Sequence, residues 1–352
     1  MVGEGAEKTR RLRIVFCGTP QFAVPTLKFL LTQPDFEIVS VITQPDRASG
    51  RGMEIKFSAV KEAALAAGVA VHQPEKIRAA ESRGLLEQIA PDVIVIIAYG
   101  QIIPAALLPI PKLGWINLHG SLLPKYRGAA PIQWAIANGE TRTGLTTMRI
   151  DAGMDTGEML LQKATEIGPS ETTPQLAARL SEMGAPLMTE TLRGIGAGTL
   201  KARTQRHDDA TYAPLLKKED GKIDWSRTAG EIYNRMRGFT PWPGSFSTFR
   251  GDVCQISGEP ASKELSAAAS ANGGTFDPNV VPGTIRVISG SEQGSGGDAR
   301  GPSAKQGAVL VTCGGATELR VVSVKLPGGR PTDAWEFVNG MQLTERERFG
   351  ER

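Results

Sequence analysis

Three histidines occur in 352 residues, His72, His119 and His207, so the groups able to move a proton near neutral pH are few. His72 precedes Gln73-Pro74 with no acidic or nucleophilic neighbour and reads as structural. His207 stands beside Asp208 and Asp209 in a charged stretch and reads as solvated. His119 is different. It ends the short apolar run Trp115–His119 and is followed at once by Gly120-Ser121. Ligands of open α/β sheets gather at the carboxyl ends of strands. Period-two alternation puts the Asn117 and His119 side chains on one side of such a strand. An amide donor and an imidazole facing one point suit the stabilisation of an oxyanion as a carbonyl becomes tetrahedral. For Asn-x-His alone, a satisfied structural histidine is an equal reading. A second segment, Asp151–Gly157 (DAGMDTG), offers two carboxylates on a Gly-flanked turn. A carboxylate close to His119 would favour the charged form of the ring.

The elements needed to position these groups follow from periodicity. Leu12–Cys17, Glu37–Thr43, Val69–His72, Asp92–Ala98, Trp115–His119, Gly144–Ile150 and Glu158–Ala164 read as strands. The near-continuous apolar run DVIVIIA belongs to a parallel strand covered on both faces. Ser58–Ala67, Ala80–Ala90, Pro131–Asn138 and Thr173–Arg193 read as helices. The alternation argues a doubly wound α/β domain. QPDRASGRG after the second strand reads as a polar turn. Thr199–Lys218 has few large apolar residues and reads as a linker. Beyond Gly221 a helical stretch, Thr228–Arg237, leads to short strands (Ser245–Phe249, Val253–Ser257, Gly283–Ser289, Ala308–Cys313, Leu319–Lys325) that suggest a small β-barrel. Two Gly/Ser/Ala-rich tracts, 261–274 and 289–307, read as mobile loops.

Composition excludes other classes. With 40% hydrophobic and 22% charged residues the chain is neither disordered nor collagen-like. No apolar run approaches the roughly 18 residues of a membrane span, and MVGEGAEKTR has no apolar core of a secretory signal. Cys17, Cys254 and Cys313 match no zinc or redox spacing and are expected as small buried hydrophobes in a reducing cytoplasm. No G-x-G-x-x-G follows the first strand and no P-loop is present, so neither NAD, ATP nor a metal is expected. Basic excess is local: residues 201–250 hold 10 basic against 6 acidic side chains, net +4. Such a segment can be the footprint of a phosphate-rich partner or simply a solvated linker.

Asn117–Trp134 (NLHGSLLPKYRGAAPIQW), together with Asp151–Met159 (DAGMDTGEM), resembles the folate-dependent formyltransferases. The resemblance runs from about Arg13 to Arg330 and takes in FCGTP (Phe16–Pro20), TQPDRASGRG (Thr43–Gly52), AYG (Ala98–Gly100), IDW (Ile223–Trp225) and FTPWPG (Phe239–Gly244). The last elements, with the Arg-bearing loop, are similar to the branch that formylates initiator methionyl-tRNA. The resemblance implies a Rossmann-like, mostly parallel sheet followed by a small OB-like β-barrel. The expected boundaries are 1–198 for the catalytic domain (1–10 a tail), 199–217 for a basic linker and 218–352 for a tRNA-binding domain carrying the two loop insertions. It implies 10-formyltetrahydrofolate as co-substrate and Asn117, His119 and Asp155 as the catalytic trio, with Asp151 left to cap its turn. Ser121, Leu122, Leu123 and Pro124, with Tyr99 and Gly100, would hold the folate. Arg47, Arg51 and Lys56 would meet the tRNA end, and Lys201, Arg203, Arg206, Lys217, Lys218 and Lys222 would track its phosphates. Met53 and Glu54 depart from positions usually basic in the family, and Leu215 from one often Lys. Lys217 and Lys218 would partly compensate for Leu215. A cytoplasmic monomer is implied. The rival readings are a formyltransferase acting on a nucleotide-linked amino sugar, a formyltetrahydrofolate hydrolase, and an RNA-binding module that has lost catalysis.

Overall fold

Five strands run parallel at the centre of the molecule's first half, and all but the short β5 carry buried Ile, Val or Leu side chains: β1 (Leu12–Gly18), β2 (Phe36–Ile42), β5 (Val71–His72), β6 (Val93–Ile97) and β7 (Trp115–His119). β3 (Arg47–Ser49) and β4 (Glu54–Lys56) form a separate antiparallel hairpin. β8 (Arg142–Arg149) and β9 (Met159–Glu166) extend the large sheet antiparallel, giving the order β5-β2-β1-β6-β7-β8-β9. Every residue of β6 is buried, as a strand covered on both faces requires. The helices are α1 (Val24–Leu31), α2 (Ala59–Ala66), α3 (Ala80–Ile89), α4 (Pro131–Ala137) and α5 (Thr173–Gly196). α2 starts where Ser58 accepts from the Lys61 N–H at 3.1 Å, an N-cap. The strand order reverses between β1 and β6, so their carboxyl ends, and that of β7 beside them, open at the switch point of the sheet.

The computed structural model describes residues 10–49, 54–271, 280–288, 307–343 and 347–351. Arg51, Met53, nearly all of the expected N-terminal tail and nearly all of the 289–307 tract lie outside them. The chain divides into two compact units. One holds residues up to Ile132, Thr141–Gly168 and Gln175–Leu215; the other holds Gln133–Glu140, Pro169–Pro174 and the chain from Leu216 onward.

The second unit is built on an antiparallel sheet of the expected OB-like kind. Its elements are α6 (Ala229–Gly238), β10 (Phe246–Phe249), β11 (Asp252–Pro260), α7 (Lys263–Ala271), β12 (Ile285–Ile288), β13 (Ala308–Cys313), β14 (Thr317–Lys325), β15 (Thr332–Asp333) and α8 (Ala334–Met341). The sheet order is β10-β11-β14-β13-β12, with β15 against β14. Trp225, Phe249, Phe337 and Phe349 meet at its core, with ring centroids 5.2–6.2 Å apart along their contacts. α6 begins at a reciprocal cap, Thr228 Oγ1 accepting from the Glu231 N–H and Glu231 accepting from the Thr228 N–H.

Two local expectations change. The tract at 261–274 contains a helix, α7, rather than a loop. KELSAAASA is rich in alanine, the best helix former, and Ser262 accepts from the Leu265 N–H to start it. The polar turn after β2 is the β3–β4 hairpin, in which Arg47 pairs with Lys56. Cys17, Cys254 and Cys313 are buried as expected, and burial raises the thiols of Cys254 to about 11 and Cys313 to about 12. No helix of the described residues is long and apolar enough to cross a membrane.

Candidate active site

β7 is anchored by Trp115, Ile116 and Leu118, all buried, which leaves Asn117 half-buried and His119 at the strand's carboxyl end. His119 is 5% exposed. Its Nε2 lies 2.9 Å from the Tyr126 carbonyl oxygen. A carbonyl only accepts, so Nε2 bears a proton and Nδ1 is the ring nitrogen left for chemistry. Nδ1 lies 3.6 Å from Asp155 Oδ2, an ion-pair spacing longer than a direct N–H···O bond. The Asn117 amide makes no hydrogen bond among the described residues.

Asp155 reaches this position through its backbone. Its φ of 54° is left-handed, a conformation Asp tolerates better than most residues. Its Oδ2 also accepts from the Gly128 N–H at 2.8 Å. Gly128 has φ +119°, and a Cβ there would sit 2.7 Å from the Ala213 carbonyl oxygen. Only glycine therefore lets this segment run beside Thr211–Ala213, where Arg127 N–H donates to Thr211 O at 2.8 Å and Ala213 N–H to Arg127 O at 2.7 Å. Asp151, in contrast, turns back on its own loop and accepts from the Gly153 N–H and the Thr156 hydroxyl.

The segment Ser121–Pro124 spends its polar atoms internally. The Ser121 hydroxyl donates to Lys125 O at 2.6 Å, the Leu123 N–H to Thr146 Oγ1, and Gln162 Nε2 to Leu123 O at 2.9 Å. What remains is a partly apolar edge, with Leu122 and Pro124 half-buried. The Tyr99 side chain lies in the core with Val15, Cys17, Ile42 and Leu86. Its carbonyl accepts from the Thr19 hydroxyl and the Gln44 amide, while its hydroxyl has no partner among the described residues. Only the backbone of Tyr99-Gly100 stands at the carboxyl end of β6. An unpaired buried hydroxyl costs roughly 1–3 kcal/mol. Tyr99→Phe is therefore expected to raise the thermal midpoint by a few degrees, of the order expected for a stabilisation of about 1 kcal/mol. It should leave the folate KM unchanged. A lowered midpoint in calorimetry would show that the hydroxyl is satisfied.

Arg47, Lys56, Lys201, Arg203, Arg206, Lys217 and Lys218 are all exposed. Arg206 pairs with Asp209 at 3.3 Å and Arg203 donates to Gln162 at 3.3 Å. The stretch from 199 to 215 is hydrogen-bonded along the first unit, Arg203 exchanging both backbone bonds with Met159. At the root of the β3–β4 hairpin, hydrogen bonds from Lys61 and Gln73 hold the Asp46 carboxyl below its usual range.

Two residues of the site were not evident from the sequence. Arg127 is 2% and Gln205 3% exposed, and the Arg127 guanidinium donates to Gln205 Oε1 through both Nε and Nη2. His207, exposed as expected, still places Nδ1 3.2 Å from Arg127 Nη1. No local pattern marks these partners, because nearly eighty residues separate them. No group of three or more His, Cys, Asp or Glu suited to a metal occurs among the described residues.

The formyl transferase family matches residues 12–192, and the formyl transferase C-terminal domain matches residues 215–342. The chain is 46% identical over 340 residues to a methionyl-tRNA formyltransferase of Acidobacterium capsulatum, covering 96% of this chain and 100% of that protein. It is 46% identical over 340 residues to the methionyl-tRNA formyltransferase of Solibacter usitatus, covering 97% and 99%. Among solved structures, the sugar 3N-formyl transferase WlaRD, determined with dTDP and 5-N-formyl-THF, shares the fold at TM-score 0.60 and 19% identity, covering 91% of this chain and 100% of that one. HypX of Aquifex aeolicus, in complex with tetrahydrofolic acid, shares it at TM-score 0.55 and 14% identity, covering 97% and 51%. At those identities the structural likeness speaks for the fold alone. The two matched regions and the near-complete coverage by relatives place the chain in the formyl transferase family.

Proposed function

We propose that this chain transfers the formyl group of 10-formyltetrahydrofolate to the amino group of initiator methionyl-tRNA, giving the N-formyl product used to start translation. The observation that carries this reading is the 46% identity along almost the whole chain to proteins named for that reaction. No comparable observation favours the amino-sugar reading, since the sugar enzymes share only the fold. We assign the reaction to a cytoplasmic monomer, residues 1–198 to catalysis, 199–217 to a basic linker and 218–352 to tRNA binding.

The residues present fit the co-substrate: an unpartnered amide and an imidazole share one strand end, beside an apolar edge formed by Leu122 and Pro124. Bound there, 10-formyltetrahydrofolate supplies an electrophilic formyl carbon. Asn117 then donates to the formyl oxygen as charge builds on it. His119, in its cationic form, donates from Nδ1, and charged donors are the stronger ones. Asp155 balances the ring's charge across 3.6 Å. The attacking amine loses a proton, which Asp155 takes through one water; the bond from the formyl carbon to the folate nitrogen then breaks, that nitrogen takes up a proton, and tetrahydrofolate leaves. No covalent bond to the enzyme forms. Arg47 and Lys56 on the hairpin, with Arg51, Lys201, Arg203, Arg206, Lys217, Lys218 and Lys222, attract the phosphates.

The test offers 10-formyltetrahydrofolate with either methionyl initiator tRNA or a nucleotide-linked amino sugar. Transfer to the tRNA is expected, and transfer to the sugar alone would end this reading. If about six phosphates are neutralised, tRNA affinity should fall by roughly three orders of magnitude between 50 and 200 mM salt. The folate KM should not follow. A flat salt profile in a binding titration would remove the basic track.

A further inference from the structure

The carboxamide of Gln205 uses its whole hydrogen-bonding capacity on the Asp155 turn and on one buried cation. Its Nε2 donates to Asp155 O at 2.8 Å and to Gly157 O at 2.7 Å, straddling Thr156. Its Oε1 accepts from Arg127 Nε at 3.0 Å and Nη2 at 2.7 Å. Two donors and two lone pairs are thereby filled, so the amide has one orientation and cannot flip without losing all four bonds.

Arg127 has no carboxylate within ion-pair reach among the described residues. Its described side-chain partners, Gln205 and the His207 ring, are both neutral in this arrangement. A buried guanidinium aimed at an amide oxygen polarises that amide and strengthens the bonds its N–H groups donate. The strengthened bonds end on the two carbonyls that bracket the left-handed turn at Asp155. The far end of the turn is pressed against β8, where a Cβ on Gly157 would lie 1.9 Å from Arg149 O. The near end is held by the Gly128 N–H on the carboxylate itself. Between these holds, Gln205 decides where the Asp155 backbone sits.

We infer that Gln205 is a positioning residue: held by Arg127, it fixes the turn that aims the Asp155 carboxylate at His119. The inference rests on the reading of Asp155 as the partner of His119, and the test separates the two.

Gln205→Glu keeps size and shape. It gives Arg127 a counter-ion, removes the two donors to the Asp155 turn and turns a carboxylate oxygen toward the Asp155 and Gly157 carbonyls. Transfer from 10-formyltetrahydrofolate to methionyl initiator tRNA is measured for the full chain, for this variant, for Asp155→Asn and for the double variant. A displacement of about 1 Å at a reacting group costs roughly a hundredfold in rate, so Gln205→Glu is expected to lower kcat about 10- to 100-fold. Both KM values, measured well below the thermal midpoint, should stay within twofold. A merely structural glutamine would lower the midpoint alone and leave kcat, measured well below it, unchanged. In the Asp155→Asn background the second substitution should change kcat less than twofold. Should Gln205→Glu not fold, Gln205→Asn, which keeps the amide but is too short to span both carbonyls, carries the same comparison. If Asp155→Asn is slow while Gln205→Glu retains wild-type kcat, the inference alone is overturned. Full additivity of the two losses overturns it as well. If Asp155→Asn itself retains wild-type kcat, the reading of Asp155 falls and the inference with it.

Discussion

Replacing His119 with Ala is expected to lower kcat by about a thousandfold. One preorganised donor at a developing oxyanion is worth 10²–10³ in rate, and a charged donor belongs at the upper end of that range. The geometry limits what else can compensate. Nε2 is committed to Tyr126 O at 2.9 Å, so Nδ1 is the only part of the ring that can serve the substrate. Asn117 remains and keeps a residual rate, but a neutral amide cannot follow a full charge. The KM for folate should change little, because the ring acts on charge that appears only in the transition state. Loss of the ring also removes the hydrogen bond to the Tyr126 carbonyl and leaves a buried cavity, which together cost roughly 1–3 kcal/mol of stability. Calorimetry on the same variant should therefore show a lower thermal midpoint, and rates must be compared well below it. A variant with wild-type kcat would remove His119 from the chemistry.

What the sequence made legible is what local pattern encodes. WINLH and DVIVIIA are short apolar runs bounded by turn residues, so β7 and β6 could be placed nearly to the residue. Alternation along β7 then put Asn117 and His119 on one side before any contact was known. Asp155 could not be reached in this way. It meets His119 because β8 returns antiparallel to β7 and a left-handed residue turns the chain after it. Local spacing holds neither fact, and only the resemblance of DAGMDTG pointed there. Arg127 and Gln205 lie further out still. Their pairing depends on Thr211–Ala213 running beside Arg127, a non-local match with no period to read. α1 and α8 were missed for other reasons. Pro20 and Pro25 punctuate the start of α1 like a loop, although Pro within the first helical turn is a normal beginning. α8 is only eight residues long and follows Gly-Gly-Arg-Pro, which reads as a loop. In α7 alanine's helix propensity outweighed the Gly/Ser-rich composition of the tract, which suggests a mobile loop.

Asp155→Asn isolates the charge of the site from its shape. An Asn oxygen in the place of Oδ2 can still accept from the Gly128 N–H at 2.8 Å, so the turn need not move. What disappears is the negative charge 3.6 Å from Nδ1. At an effective dielectric constant near 20, two unit charges at that spacing attract by about 4–5 kcal/mol. The Asp155 side chain is 20% exposed, so solvent screens part of this. Keeping about half gives an expected kcat loss on the order of a hundredfold. Both KM values should remain near wild type. The mechanism makes a further demand. If Asp155 works mainly by sustaining the imidazolium, then in a His119→Ala background Asp155→Asn should cost less than tenfold, because the ring it serves is gone. An equal hundredfold loss in both backgrounds would show instead that the carboxylate acts on the substrate amine directly.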